Sequence, residues 1–191
     1  MRRIALMESL LAAGLLLWGC ATAPSLSGSI RGASYVSSQG DFSVPFPVSA
    51  EVGGRVVSDT PQSVTFHDNW GSRITFSSHP FNAQSSMMTV MQSQGREKAL
   101  TEFAKTIYGG DTIVHYHADA RQGAISFIFL RPVGPKTGVA MFIHGERVFA
   151  VETDMLPGVA LLAQNDEQSQ KERDQWLENR AVTLAQSMDV K

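Results

Sequence analysis

Three runs in the second half of the chain set the strongest limit on its fold. Ile125-Ser126-Phe127-Ile128-Phe129-Leu130, Val139-Ala140-Met141-Phe142-Ile143 and Val148-Phe149-Ala150-Val151 are almost continuously apolar. A strand with one face in water alternates apolar and polar residues, so these runs belong to strands covered on both faces. His144-Gly145-Glu146 separates the last two as a turn. A second sheet could provide cover, but two amphipathic helices are on hand. The first is centred on Leu100, Phe103, Ala104 and Ile107, which share one stripe, and Gly109-Gly110 ends it. The second spans about Asp166 to Met188, with Asn165 as cap and Gln168 completing a variant capping box. Its stripe is Leu177, Ala181, Leu184 and Met188, while Lys171, Glu172, Arg173 and Glu178 form a solvated face. The expected class is α+β, an antiparallel sheet with helices on both faces. Phe127 should then lie on a central strand, where a charge would prevent folding.

The earlier strands are more conventional. Ser34 to Ser38 is extended, Gln39-Gly40-Asp41 turns, and Phe42 to Pro47 alternates, its prolines confining it to an edge or a strand end. Val64 and Phe66 share a face, as do Ile74 and Phe76, with Asp68-Asn69-Trp70-Gly71 as the turn of a hairpin. Gly40-Asp41-Phe42-Ser43-Val44-Pro45-Phe46-Pro47 resembles the opening of PsbP-like domains. Val64-Thr65-Phe66-His67-Asp68 followed by Gly71 and Ile74 is similar to their second hairpin, and the closing helix through Leu184 to Met188 also fits. The resemblance, which extends to the DcrB-type lipoproteins of bacterial envelopes, implies an α-β-α sandwich. It also implies a role in binding or assembly. No residue role carries over, because no position matches a diagnostic site.

The N-terminus bears on location. Arg2 and Arg3 precede an apolar run from Leu10 to Trp18, which is too short to span a bilayer and suits the middle of an export signal. Leu17-Trp18-Gly19-Cys20 resembles the lipobox of bacterial lipoproteins, with Trp18 departing from its usual small or branched residue. That resemblance implies diacylglycerol on the Cys20 sulfur, cleavage after Gly19 and acylation of the new amine. The competing reading is an ordinary secretory signal with a chance cysteine. Cys20 is the one cysteine among 191 residues, so an internal disulfide is excluded. Ala21, rather than Asp, follows it, a pattern resembling lipoproteins sent to the outer membrane. The expected divisions are 1–19 signal peptide, 20–33 lipidated cysteine and flexible tether, and 34–191 one PsbP-like domain. The Gly/Ser/Pro-rich tether has a reach of roughly 20 Å.

Net charge is −2, and loss of Arg2, Arg3 and Glu8 with the signal leaves the chain acidic, which argues against a nucleic-acid partner. The expected partners are the membrane, through the lipid, and an envelope protein. No G-x-S-x-G elbow, phosphate-binding loop or dinucleotide fingerprint occurs, so a non-enzyme without cofactors is expected, with an unrecognised enzyme as the third reading. The alternative function is metal binding. His115 and His117 lie two apart on a strand over Thr112 to Ala118, and alternation would aim both imidazoles one way for Zn²⁺ or Cu²⁺. His67 and His144 are candidates for further ligands. The competing reading puts Val114 and Tyr116 on the core and both histidines in solvent. Met87-Met88-Thr89-Val90-Met91 offers thioethers to Cu(I), or an apolar entry to the first helix. Met155 to Ala163 is apolar, and either closes the core or forms a partner-facing patch.

Overall fold

The apolar runs become three neighbouring strands inside a seven-stranded antiparallel sheet. The computed structural model describes residues 27–45, 54–69, 71–81, 86–119, 123–131, 135–156 and 167–191. The sheet comprises β4 (Arg55–Asp59), β5 (Ser63–His67), β6 (Ser72–Pro80), β7 (Ile113–Asp119), β8 (Ala124–Phe129), β9 (Thr137–His144) and β10 (Arg147–Met155), in the order β4-β5-β6-β10-β9-β8-β7. Two meanders, β4-β5-β6 and β7-β8-β9-β10, therefore meet at one seam. There β10 pairs with β6 along its whole length, from Arg147↔Pro80 to Met155↔Ser72. The central strand is β10. Phe127 lies on β8, one strand from the edge, which corrects the expectation that its strand is central.

The chain between the meanders covers one face. It forms α1 (Ser86–Gln94) and α2 (Arg96–Tyr108). They are separated by Gly95 at φ 90°, a conformation glycine adopts without a Cβ penalty. The methionine cluster is a helix of its own. Met87 is buried, and Met88 and Met91 pack against the same core, the gap-filling use of a flexible side chain. Leu100 and Ala104 bury against Phe127, Val139, Met141, Val148 and Ala150. Ile107, expected on that stripe, is 44% exposed. The stripe runs instead through Leu100, Ala104 and Tyr108. The Tyr108 ring meets Phe127 edge-on at 5.4 Å, and its hydroxyl donates to Glu152 at 2.7 Å.

His79, on β6 beneath Phe103, has burial as the main influence on its imidazole. Burial lowers its pKa, Glu152 pulls it up, Arg147 pushes it down, and the net shift is downward. Nε2 lies 3.1 Å from Ser77 Oγ. With the folded pKa below the unfolded value of about 6.5, the neutral ring contributes stability above that pH and loses it as pH falls through the folded pKa. The melting temperature should therefore drop on acidification from neutral pH, and His79→Phe should flatten the drop. An identical profile in the variant would contradict this assignment.

The opposite face has two covers side by side. One is α3 (Glu167–Gln186), over β8, β9 and β10. The other is a four-stranded sheet of β1 (Ser29–Arg31), β2 (Ser34–Val36), β3 (Phe42–Pro45) and β11 (Asp189–Val190). Tyr35, Phe42 and Val44 from this small sheet pack with Phe66, Ile74, Phe76, Phe149 and Val151. Helices thus lie on both faces as expected. The β5–β6 hairpin joins the main sheet, but β2 and β3 form a separate layer with β1 and β11. Leu177, Ala181 and Met188 are buried and Leu184 is partly so, with Met188 just beyond the end of α3.

α3 sits unusually close at Gly138. A Cβ there would lie 2.4 Å from the carbonyl carbon and oxygen of Leu177, and Thr153 Oγ1 donates to that same oxygen at 2.8 Å. Arg180 clamps the helix to the β5–β6 turn by a 2.6 Å contact with buried Asp68, its guanidinium stacked on Trp176.

The segment expected to be a tether, 20–33, carries β1 over Ser29–Arg31. Asp59 holds the chain there. Its Oδ2 accepts from Gly28 N at 3.1 Å and its Oδ1 from Tyr35 Oη at 2.7 Å. The lipobox-like stretch Leu17 to Cys20, Asn165 and most of Met155 to Ala163 lie outside the described residues.

Candidate functional site

A β-bulge decides what the two candidate histidines can do. Val114 pairs with Ile128, but Tyr116 pairs with Phe127, leaving His115 as the extra residue on β7. A bulge breaks the period of two, so residue spacing no longer aims His115 and His117 at one point. The side chain of His115 lies outside the described atoms. Tyr116, expected on the core, is 38% exposed and shares a 2.7 Å hydrogen bond with Thr101 of α2. His117 then faces α3, opposite Ser126. Among the described residues, no three His, Cys, Asp or Glu side chains are grouped to hold a metal ion.

What His117 does meet is Glu178, a residue expected on the solvated face of the helix. The Glu178 side chain is 11% exposed, against 68% for His117. Its Oε1 lies 2.6 Å from both His117 Nδ1 and Ser126 Oγ. The serine proton is therefore directed at the carboxylate, and the imidazole, when protonated at Nδ1, shares the same acceptor. Such convergence fixes a hydrogen-bonding surface across β7, β8 and α3. One turn earlier on α3, Asp174 accepts from Lys136 Nζ at 2.5 Å. Between these pairs is a cavity of about 270 Å³ bordered by His117, Ile128, Lys171 and Gln175. A second, of about 180 Å³, lies towards the C-terminal end of α3 and is mainly apolar, lined by Ala124, Ala140, Phe142, Val182, Ala185 and Met188. The sequence signal for the buried carboxylate was Ser126, the polar residue inside an apolar run. It marks where α3 presents a polar partner.

A further polar cluster lies beyond the C-terminal end of α2. Arg131 Nη2 meets Glu152 Oε2 at 3.0 Å, and Arg73 Nε donates to Asp154 Oδ1 at 3.0 Å. Burial and then the Glu152 carboxylate push the Tyr108 hydroxyl well above its ordinary pKa, so it remains a donor. These groups satisfy one another and lock the sheet end.

No family model and no curated protein matches the sequence. Solved structures do match. The solution structure of cyanobacterial PsbP (CyanoP) from Synechocystis sp. PCC 6803 superposes with a TM-score of 0.50 at 13% identity, covering 86% of this chain and 98% of that one. The fold is PsbP-like. A crystal structure from Bacteroides thetaiotaomicron gives a TM-score of 0.39 at 10% identity, over 85% of this chain and 49% of that one. Identity this low conveys the fold and no residue role. The stretches resembling PsbP-like domains fall on β3, the β5–β6 hairpin and the C-terminal end of α3.

Proposed function

We propose that this chain is a lipid-anchored, non-enzymatic binding or assembly module of a bacterial envelope, held at the periplasmic face of the outer membrane and engaging another envelope protein. The observation that carries the reading is Cys20. It follows an export-type run in a lipobox-like stretch, and it precedes by only seven residues the point where Ser27 and Gly28 are tied to Asp59. Two or three acyl chains hold a protein firmly where one would be marginal. No helix among the described residues is long and apolar enough to cross a membrane. The PsbP-like fold is compatible with a binding role. The cavities beside α3 and the His117–Glu178–Ser126 convergence offer a shaped, polar-rimmed surface for it.

Cys20→Ser tests the anchor. The variant should appear in the soluble fraction or accumulate as uncleaved precursor, while the unaltered chain stays with membranes and carries the mass of its acyl groups. Normal processing with unchanged membrane retention would refute the reading.

A further inference from the structure

At the corner where the chain leaves for Cys20, the surface has a polar depression of about 320 Å³. The hydroxyl residues Ser27, Ser29 and Ser38 border it, and its cationic members are Arg31 and Lys191. Arg31 is exposed, and its Nε donates to Ser29 Oγ at 3.3 Å. Two carboxylates stand nearby, Asp59 held by neutral donors and Asp41 by a cation. Asp59 accepts from Tyr35 and Gly28, and Asp41 is paired with Arg147 at 3.0 Å. Lys191 is held in place because its backbone N donates to Asp41 O at 3.1 Å. Beside Arg31, Ile30 is 44% exposed.

We propose that this depression seats the phosphate of a membrane lipid headgroup, so that the β1 corner of the domain lies on the bilayer. The inference rests on the anchoring reading. Chain length identifies the occupant: six residues, 21–26, separate Cys20 from Ser27, and even fully extended that path covers at most about 25 Å. The bilayer surface is therefore always within reach of this corner. Hydroxyls and a guanidinium are the donors that a phosphate accepts from, and charge assistance strengthens each bond. Ile30 adds an apolar contact at headgroup depth.

The test uses the full acylated protein reconstituted in vesicles, with one introduced thiol for a fluorophore, the Cys20 sulfur being blocked by its lipid. Gln62→Cys places the probe on the turn beside Asp59. Asp111→Cys places it beyond the Ile113 end of β7, level with Asp154 where Gln62 is level with Phe149, at least about 17 Å further along the strand direction. In vesicles containing phosphatidylglycerol and a headgroup quencher, the probe at residue 62 should be quenched several-fold more than the one at 111. Arg31→Ala with Lys191→Ala should weaken docking more than about ten-fold, since each cation near an anionic surface is worth roughly five-fold. Millimolar inorganic phosphate should not reverse it. Equal quenching at the two positions, or no change in the double variant, overturns the proposal while leaving the anchor intact. Release by free phosphate overturns the membrane as occupant. Protein lacking acyl mass fails the anchoring reading and this inference with it.

Discussion

Phe127→Asp should leave no folded domain. The side chain is fully buried between α2 and the sheet, packed with Leu100, Val139 and Tyr108. An unpaired carboxylate in that position costs several kcal/mol, comparable to the whole stability of a domain. The position of β8 near the sheet edge does not soften the effect, because Phe127 and Ile128 are buried on opposite faces of the strand. Phe127→Leu is the control. It keeps the site apolar and should fold with a modest loss. Loss of near-ultraviolet circular dichroism and of a cooperative melt in the Asp variant is the expected result, and a wild-type melting temperature would contradict it.

Gly138→Val should lower the stability sharply while leaving a folded domain, although the site is a single missing side chain. The first added carbon already falls 2.4 Å from the Leu177 carbonyl, backbone that cannot rotate away. α3 must then lift from β9, which also strains the 2.8 Å bond from Thr153 to that carbonyl. Overpacking of this kind costs about 3 kcal/mol, the upper end of its usual range. For a domain of this size that is a fall in melting temperature of about 6–12 °C. A melt matching the unaltered protein would show that the helix is not seated against Gly138.

Much of the architecture could be read from residues, and the failures have physical causes. The runs through Phe127, Met141 and Phe149 announced burial on both faces because no polar residue in them repeats at a period of two. The order of strands was hidden, since β10 joins β6 across the intervening helices and no local pattern encodes a distant partner. The small sheet was hidden for another reason. Strands such as Ser29–Arg31 and Ser34–Val36 hold three residues each, too few to display a period. At the candidate site, His117 was visible but its partner was not. Charges on a helix usually face water, and Glu178 departs from that habit because Ser126 and His117 receive it. The bulge at His115 is set by pairing with β8, so alternation alone could not foresee it.

The pairing of β3 with β11 has a consequence for the order in which the protein can mature. One edge of β3 pairs with β2, Ser43 opposite Val36, but its other edge pairs with Asp189 and Val190, about 147 positions later in sequence. If the chain is exported N-terminus first, as proposed, β3 stays half-paired until Asp189 and Val190 have crossed. The local β1–β2–β3 pairings need no such wait, whereas the β3–β11 pairing must close a long loop before it is rewarded. On the export route proposed above, this pairing would leave β3 open during passage and seal it only once Val190 is across.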